Sequence, residues 1–365
     1  MRALWIVRHD LYEQPGGDTT QIEQTAAALR RQGITVDLAV AGRGALSGYD
    51  LVHLFHLDRL WENLEPARRA TQAGLPMVLS TIWWPGDEYD RRGRAGLQGW
   101  LAKLVGSSAY QDLRLCQRLL LHAAQERRLP GWFALRSGFR HGVRELLQSA
   151  AVLLPNSRAE SAAIQTHFGI RRPTVVVPNG VDTAIFTSPP PGTPRTGVVC
   201  VGRIEPRKNQ LRLIEALRGT DIRLTLVGAA GRFSRRYARC CRAAAGPNVR
   251  FLPLQEPTAL CRVYQSAAVH VNVSWYETPG LASLEAALCG CAVVVTPGGC
   301  TREYFGEQAL YTCPDDVAGI RAAVERALAA GPAPGLAERV AREFNWQRAA
   351  AATLAGYQLA LSGPS

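Results

Sequence analysis

The sequence predicts an α/β protein built from two doubly wound domains in tandem. Three observations lead there. Short apolar runs alternate with stretches of helical periodicity, which is the pattern of a parallel sheet covered by helices. The alternation occurs in two series, separated by a proline-rich break. The chain has 365 residues, 47% hydrophobic and 20% charged, enough for two ordinary cores and unlike a disordered composition.

In the first series the predicted strands are Ala3–Val7, Val36–Val40, Leu51–Phe55, Met77–Leu79, Val152–Leu154 and Val175–Val177. A helical pattern over Thr19–Arg31 ends at Gly33, a C-terminal cap. Ser157 and Glu160 form a capping-box pattern that starts a helix ending at Gly169. The stretch from Pro85 to Gln148 breaks the alternation. It carries Trp100, Leu101, Leu104, Leu113, Cys116 and Leu120 at helical spacing, with eleven basic residues against six acidic ones. It reads as an inserted, mainly helical, basic subdomain.

The linker is expected between Asn179 and Arg195, where TSPPPGTPR can continue neither helix nor strand. The second series has strands at Val198–Val201, Ile222–Val227, Val249–Leu252, Val269–Val273, Ala292–Thr296 and Ala309–Tyr311, with helices between, such as Asn209–Arg218 and Leu281–Cys289. The tail, FNWQRAAAATLAGYQLAL, reads as a final helix. The expected organisation is a domain over 1–178 with the insert at about 85–148, a second over 179–344, and a terminal helix over 345–365. Ligands of open α/β sheets bind at the carboxyl ends of the strands, so two such domains are expected to face each other across a cleft lined by those loops.

Composition excludes several classes. No apolar run reaches a membrane span, and the first one, inside MRALWIVRHD, is too short for a signal peptide. The nine cysteines include no C-x-x-C pair, so they are expected to be reduced and mostly buried, with no structural zinc. The net charge of +12 comes almost wholly from arginine, since Lys103 and Lys208 are the only lysines. That is a compositional bias, and no helix-turn-helix, zinc-finger or RNA-binding aromatic signature accompanies it, so a nucleic-acid partner is not expected.

Three loops carry the candidate chemistry. WYETPGLASLEAALCG, Trp275–Gly290, follows a buried strand and opens a helix. It places Glu277 in the loop, Gly280 and Leu281 at the helix start, Ser283 in the first turn and Glu285 further on. A helix start with free N–H groups suits a phosphate, and flanking carboxylates suit sugar hydroxyls. Solvated acids at a helix start are the plain alternative. VGRIEPRKN, Val201–Asn209, places Gly202, Arg203 and Lys208 after a strand, where two cations can neutralise a diphosphate leaving group. In a chain that otherwise uses arginine, Lys208 points to a need for a compact charge. EQPGGDTT, Glu13–Thr20, places Gly16, Gly17 and Asp18 in a turn before a helix that can meet a phosphate or an acceptor.

Together these residues resemble the retaining glycosyltransferases of the GT-B fold, family 4. The family's E-x7-E pattern is Glu277 to Glu285. Its G-R-x4-K pattern is Gly202, Arg203 and Lys208. Its N-G-V-D segment is Asn179, Gly180, Val181 and Asp182, and its glycine pair with a following acid is Gly298, Gly299 and Glu303. The terminal helix, with Trp346 and Tyr357, is similar to the one that crosses back to the first domain. The resemblance implies two Rossmann-like domains facing a cleft and retention at the anomeric carbon. No cofactor or metal is implied, because Arg203 and Lys208 hold the donor diphosphate. It further implies that Glu285 takes the ribose, that Glu277 sits by the donor sugar, that the amides of Gly280 and Leu281 touch sugar or phosphate, and that Gly16 and Gly17 line the acceptor side.

The implied partners are a nucleotide-sugar donor, UDP- or GDP-linked, and a glycan, lipid-linked or small-molecule acceptor. The implied place is the cytoplasm, with the basic insert either touching an anionic inner membrane face or forming a solvated helical face. The chain departs from the family after PMVLS, where Ile82, Trp83 and Trp84 stand in place of a histidine, and at Thr278 and Pro279. His56 is either a cleft residue or a structural histidine. Trp83 either stacks on a sugar or fills the core. Asn179 is a further cleft position. A nucleotide-sugar 2-epimerase shares this architecture and is the rival enzyme; a basic nucleic-acid-binding protein is the rival of another class.

Overall fold

The computed structural model describes residues 1–40, 44–94, 99, 104, 110–113, 115–117 and 133–363. The chain forms two compact units, Met1–Pro178 with Gln347–Ser365, and Asn179–Trp346.

The first unit contains β1 (Arg2–Val7), α1 (Gly17–Arg31), β2 (Thr35–Val40), β3 (Leu51–Phe55), α2 (Leu60–Gln72), β4 (Met77–Ser80), α3 (Phe133–Ser149), β5 (Val152–Leu153) and α4 (Arg158–Phe168). The strands form one five-stranded sheet in the order β2-β1-β3-β4-β5. Every pairing is parallel, with Ala3 opposite Val36 and Leu51, Val52 opposite Met77, and Val78 opposite Val152. Residues of β3 and β4 are buried along their whole length, as their unbroken apolar character requires of strands covered on both faces. Leu4, Ile6, Val52, Leu54 and Leu79 pack with Leu60, Val143, Leu147 and Phe168 in one core.

The Ser157–Glu160 cap forms, Ser157 Oγ accepting from the Glu160 N–H at 2.9 Å, and the helix stops at Gly169. Val175–Val177, in contrast, is not a strand. Thr174 makes a single bridge to Leu153, and the N–H groups of Val175 and Val177 donate to Leu153 and Pro155. The flanking prolines Pro173 and Pro178 remove the donors a full ladder needs. In the insert, the described residues include a single π-helical turn, Tyr89–Gly93, helical positions at 110–113 and 115–117, and α3, which is kinked at Gly138. The expected apolar face is corrected there: Leu104 and Leu113 are exposed, whereas Tyr110 and Leu115 are buried. Trp100, Leu101, Lys103, Arg114, Arg118, Leu120, Arg127 and Arg128 lie outside the described residues.

The second unit contains β6 (Val198–Val201), α5 (Gln210–Ala216), β7 (Leu224–Val227), α6 (Arg235–Ala244), β8 (Val249–Leu252), α7 (Pro257–Ser266), β9 (Val269–Asn272), α8 (Leu281–Leu288), β10 (Ala292–Val295), α9 (Thr301–Phe305), β11 (Leu310–Tyr311), α10 (Val317–Ala330) and α11 (Leu336–Glu343). Its six-stranded sheet runs β11-β10-β9-β6-β7-β8, all parallel. That is the doubly wound dinucleotide-fold order, with its reversal between β6 and β9. The chain passes from one unit to the other between Pro178 and Asn179, ahead of the proline-rich run. That run is fastened to the second unit: Ser188 donates to the Leu288 carbonyl at 3.0 Å, and Arg195 Nε donates to that of Ala267 at 3.0 Å.

The last helix, α12 (Trp346–Leu361), supplies Gln347 onward to the first unit. Tyr357 is fully buried against β1 and β3. Its hydroxyl accepts from Trp5 Nε1 at 2.7 Å and meets His53 Nδ1 at 2.8 Å, and His53 Nε2 meets Ser80 Oγ at 2.9 Å. The Trp5 indole, the Tyr357 hydroxyl and both His53 nitrogens are all paired if Tyr357 donates to Nδ1 and the ring carries its proton on Nε2. Burial lowers the His53 pKa to about 3, so the ring is neutral. Among the described residues no helix is long and apolar enough to cross a membrane.

Candidate functional site

The reversal point of the second sheet brings the loops after β6 and β9 side by side, where ligands of such sheets bind. Gly202 leaves β6, and a short 3-10 turn, Pro206–Lys208, leads to Asn209. Asn209 is buried in the left-handed region and donates to the Val273 carbonyl at 3.2 Å. The Trp275 N–H donates back to the Arg207 carbonyl at 3.0 Å. These bonds cross-stitch the two loops and set Lys208 against Glu277.

Lys208 Nζ donates directly to Glu277 Oε1, and Asn272 Nδ2 reaches the same oxygen at 3.2 Å. The pair is largely dry, with side chains 17% and 7% exposed. Burial pushes the Glu277 carboxyl up, but Lys208 and Arg207 outweigh it and hold it at about 2. Arg207 stands 4.0 Å from Glu277 and is clamped in turn, donating to the Tyr276 carbonyl at 2.9 Å and to Glu205 at 3.0 Å. Arg203 is not part of this group. Its side chain is 49% exposed and lies 3.6 Å from Glu205.

Glu277 is held from behind by Gly298 and Gly299. The Glu277 N–H donates to the Gly298 carbonyl at 3.2 Å, and Cys300 donates to the Glu277 carbonyl at 2.8 Å. A Cβ on Gly299 would overlap the Glu277 backbone, and its φ is +90°. The glycine pair noticed in the sequence is therefore what lets this loop approach. Gly280 takes φ +77° as the N-cap of α8, turning the chain so that Leu281 opens the helix.

Ser283 is buried and lies 3.0 Å from His270 Nε2. Glu285 is half-buried, and its Oε2 accepts from the Tyr264 hydroxyl at 3.0 Å. Burial raises the Glu285 pKa to about 7 against the pull of that bond. Asn179 is buried at the start of the unit, its N–H donating to the Tyr304 hydroxyl at 3.0 Å, and among the described residues nothing donates to its Oδ1. Among the described residues no three His, Cys, Asp or Glu side chains gather as a metal-binding set.

The first sheet reverses between β1 and β3, and its switch point carries a second charged cluster. Gly16 caps α1, Gly17 begins it, and Asp18 lies in its first turn. Asp18 is paired with Arg8 at 2.6 Å and with His56 Nε2 at 3.1 Å. Burial opposes its charge, yet His56 and Arg8 hold it far below the usual carboxylate range. Beside it, Glu62 meets His9 at 2.5 Å and Arg59 at 2.7 Å. His56 is thus a partnered residue of the β3 end, with φ +69°. Trp83 belongs to the core, 4.9 Å from Phe168 and 5.3 Å from His167. Trp84 is half-buried.

Sequence reasoning passed over Arg207, Asn272 and Tyr264 in the second unit and Arg8, Arg59 and Glu62 in the first. Arg207 was legible, since it adjoins Lys208 and has Glu205 two places earlier. Tyr264 was not, because a helix tyrosine twenty-one residues before Glu285 carries no local signal.

The family described as glycosyl transferases group 1 matches residues 195–330. A relative from Arthrobacter sp. (strain FB24), named D-inositol 3-phosphate glycosyltransferase, is 31% identical over 96% of this chain and 92% of its own length. Among solved structures, sucrose-phosphate synthase from Thermosynechococcus elongatus superposes with a TM-score of 0.76 at 18% identity, covering 99% of each chain. The Anabaena protein HepE, in complex with UDP and glucose, gives 0.69 at 17% identity, covering 97% of this chain and 99% of that one. The relative's identity over nearly its full length carries the family, and the superpositions carry the two-domain architecture. This chain belongs to the group 1 glycosyltransferases and has their GT-B fold.

Proposed function

We propose that the chain moves a sugar from a nucleotide-diphosphate donor, UDP- or GDP-linked, to a glycan, lipid-linked or small-molecule acceptor, with retention and without a divalent cation. One observation supports this most: Lys208 and Glu277, from two loops at a switch point, form a dry ion pair at the start of α8. In the free enzyme Lys208 compensates Glu277. With donor present, the lysine is placed to take the leaving diphosphate, and Glu277 is released toward the sugar hydroxyls.

Arg203, exposed on the same loop, is long enough to fold onto a phosphate that arrives. The amides of Gly280 and Leu281 offer the helix-start donors, Gly202 and Ser283 shape the walls, and Glu285 receives the ribose hydroxyls. Gly16, Gly17 and Asp18, with His56, are assigned to the acceptor side, and Asn179 to the margin of the donor unit. The HepE structure is a complex with UDP and glucose, and that favours a uridine donor here. The Arthrobacter relative's name concerns a phosphorylated cyclitol, which makes small polyols the first acceptors to try.

The rival 2-epimerase reading loses ground because the Arthrobacter relative is named a glycosyltransferase. The nucleic-acid reading rests on net charge alone. We place the enzyme in the cytoplasm, its basic insert free to meet an anionic inner membrane face.

The test is a thermal-shift screen with UDP, GDP, ADP and their sugars, followed by product analysis with and without EDTA. Stabilisation by one nucleotide family, acceptor-dependent product of retained configuration, and indifference to EDTA are expected. Loss of turnover in EDTA restored by one metal, or an epimerised nucleotide sugar made without acceptor, would overturn it.

A further inference from the structure

The two carboxylate oxygens of Glu285 have different surroundings. Oε2 accepts from Tyr264, which is fully buried on α7 and braced by Phe186 at 6.1 Å between ring centres. Among the described residues nothing donates to Oε1. A carboxylate fixed at one oxygen by a rigid phenol has a fixed plane, so its second oxygen points one way.

From this geometry we propose that Tyr264 is a positioning residue for donor binding: its hydroxyl orients Glu285 and favours the ionised form that a ribose diol requires. The inference rests on the reading of Glu285 given above. A vicinal diol offers two donors, and it is matched by an acceptor-only carboxylate better than by a carboxylic acid, which must turn one hydrogen toward it. Burial lifts the Glu285 pKa to about 7, so the group stands at the edge of ionisation, and the Tyr264 bond is the influence that pulls it down.

The other titratable groups packed around it stay uncharged. Burial pushes the Cys289 thiol far up and that of Cys291 to about 12, and it lowers His270, whose ring lies 6.0 Å from that of Tyr264, to about 3. The thiol of Cys261 meets that of Cys289 at 3.7 Å. Among the described residues no formal charge adjoins Glu285 to take over the role of the phenol.

The test uses the full chain and whichever of UDP, GDP and ADP gives the largest thermal shift, since all three carry the same ribose. Its dissociation constant is measured from pH 6 to 9 by calorimetry for the wild type, Tyr264→Phe and Glu285→Gln. Wild-type affinity is expected to improve with rising pH through about 7. Tyr264→Phe should bind about tenfold more weakly at pH 7, with its midpoint displaced to higher pH, because an ionic hydrogen bond is lost. Glu285→Gln should be weak and flat across the range. If Tyr264→Phe keeps both the affinity and the pH profile, the role of Tyr264 is wrong while Glu285 can stand. If Glu285→Gln binds like the wild type, or no nucleoside diphosphate binds, the reading of Glu285 fails and the proposal with it.

Discussion

Gly299 lies flat against the backbone of Glu277, in a parallel bridge with no room between them for a methyl group. The position of the buried carboxylate therefore depends on an absent side chain. Gly299→Ala would strain a φ of +90° and force the two loops apart. We expect a stability loss on the order of 2–4 kcal/mol, with turnover lost even at temperatures where the variant is folded. A wild-type melting temperature and rate would show that the loop is free to shift.

Lys208 serves both the resting pair and the proposed diphosphate, and two variants separate these roles. Lys208→Met leaves Glu277 buried without its closest cation, at a cost on the order of 2–3 kcal/mol, tempered by the 17% exposure of the lysine side chain. Lys208→Met combined with Glu277→Gln should recover most of that stability and none of the turnover. The prediction fails if the double variant recovers activity.

The same pair sets an acid limit. The Glu277 pKa falls from 4.5 to about 2 in the folded chain, so its stabilisation is complete above about pH 4.5 and is lost as pH drops toward 2. Lys208→Met should lessen that acid-dependent loss in denaturant titrations between pH 5 and 3. An unchanged slope would mean the ion pair is not present in solution.

Glu160 gives the opposite sign. Its carboxylate accepts from the Thr81 hydroxyl and, at 2.9 Å each, from the N–H groups of Trp83 and Asn156, tying together the loops after β4 and β5. Burial nevertheless raises its pKa to about 7. A raised carboxyl favours the fold below about 4.5, and that advantage is lost as pH climbs through 7. Glu285 adds a slope of the same sign. Glu160→Gln should remove roughly half of their joint dependence, up to about 1.4 kcal/mol per pH unit for one group. An identical pH 5–8 stability curve for wild type and variant counts against it.

Tyr357→Phe would leave the Trp5 N–H and His53 Nδ1 buried without their partner, costing about 1–3 kcal/mol. Hydrogen exchange should then show α12 opening ahead of the sheet. Equal protection of the helix in both proteins would place the anchoring energy in its apolar contacts instead.

Much of this was readable in advance, for reasons that differ by element. The inner strands of both sheets are mostly short apolar runs bounded by turns, a composition that burial on two faces favours, while the edge strands β2 and β8 carry Asp37 and Arg250. The helix at Ser157 was legible because capping is a local exchange between residues three apart. Val175–Val177 misled because its composition is that of a strand while its neighbours lack the donors to build one.

At the site, Lys208, Glu277, Gly280 and Glu285 stood out because they follow strands. Arg203 looked like the partner of Lys208, and it is Arg207 that adjoins Glu277, a choice made by the 3-10 turn at Pro206. The Tyr264–Glu285 and Trp5–Tyr357 contacts span different elements, and no window of sequence contains them.

The first unit draws its closing helix from beyond the entire second unit. During synthesis the sheet of β1 and β3 must therefore wait, with Trp5 and His53 uncovered, while the 168 residues of Asn179–Trp346 are made. A fragment ending at Pro178 would expose that apolar seam permanently, so the lobe is poorly suited to production by itself. A circular permutant that links α12 directly ahead of β1 would let the lobe mature without the delay.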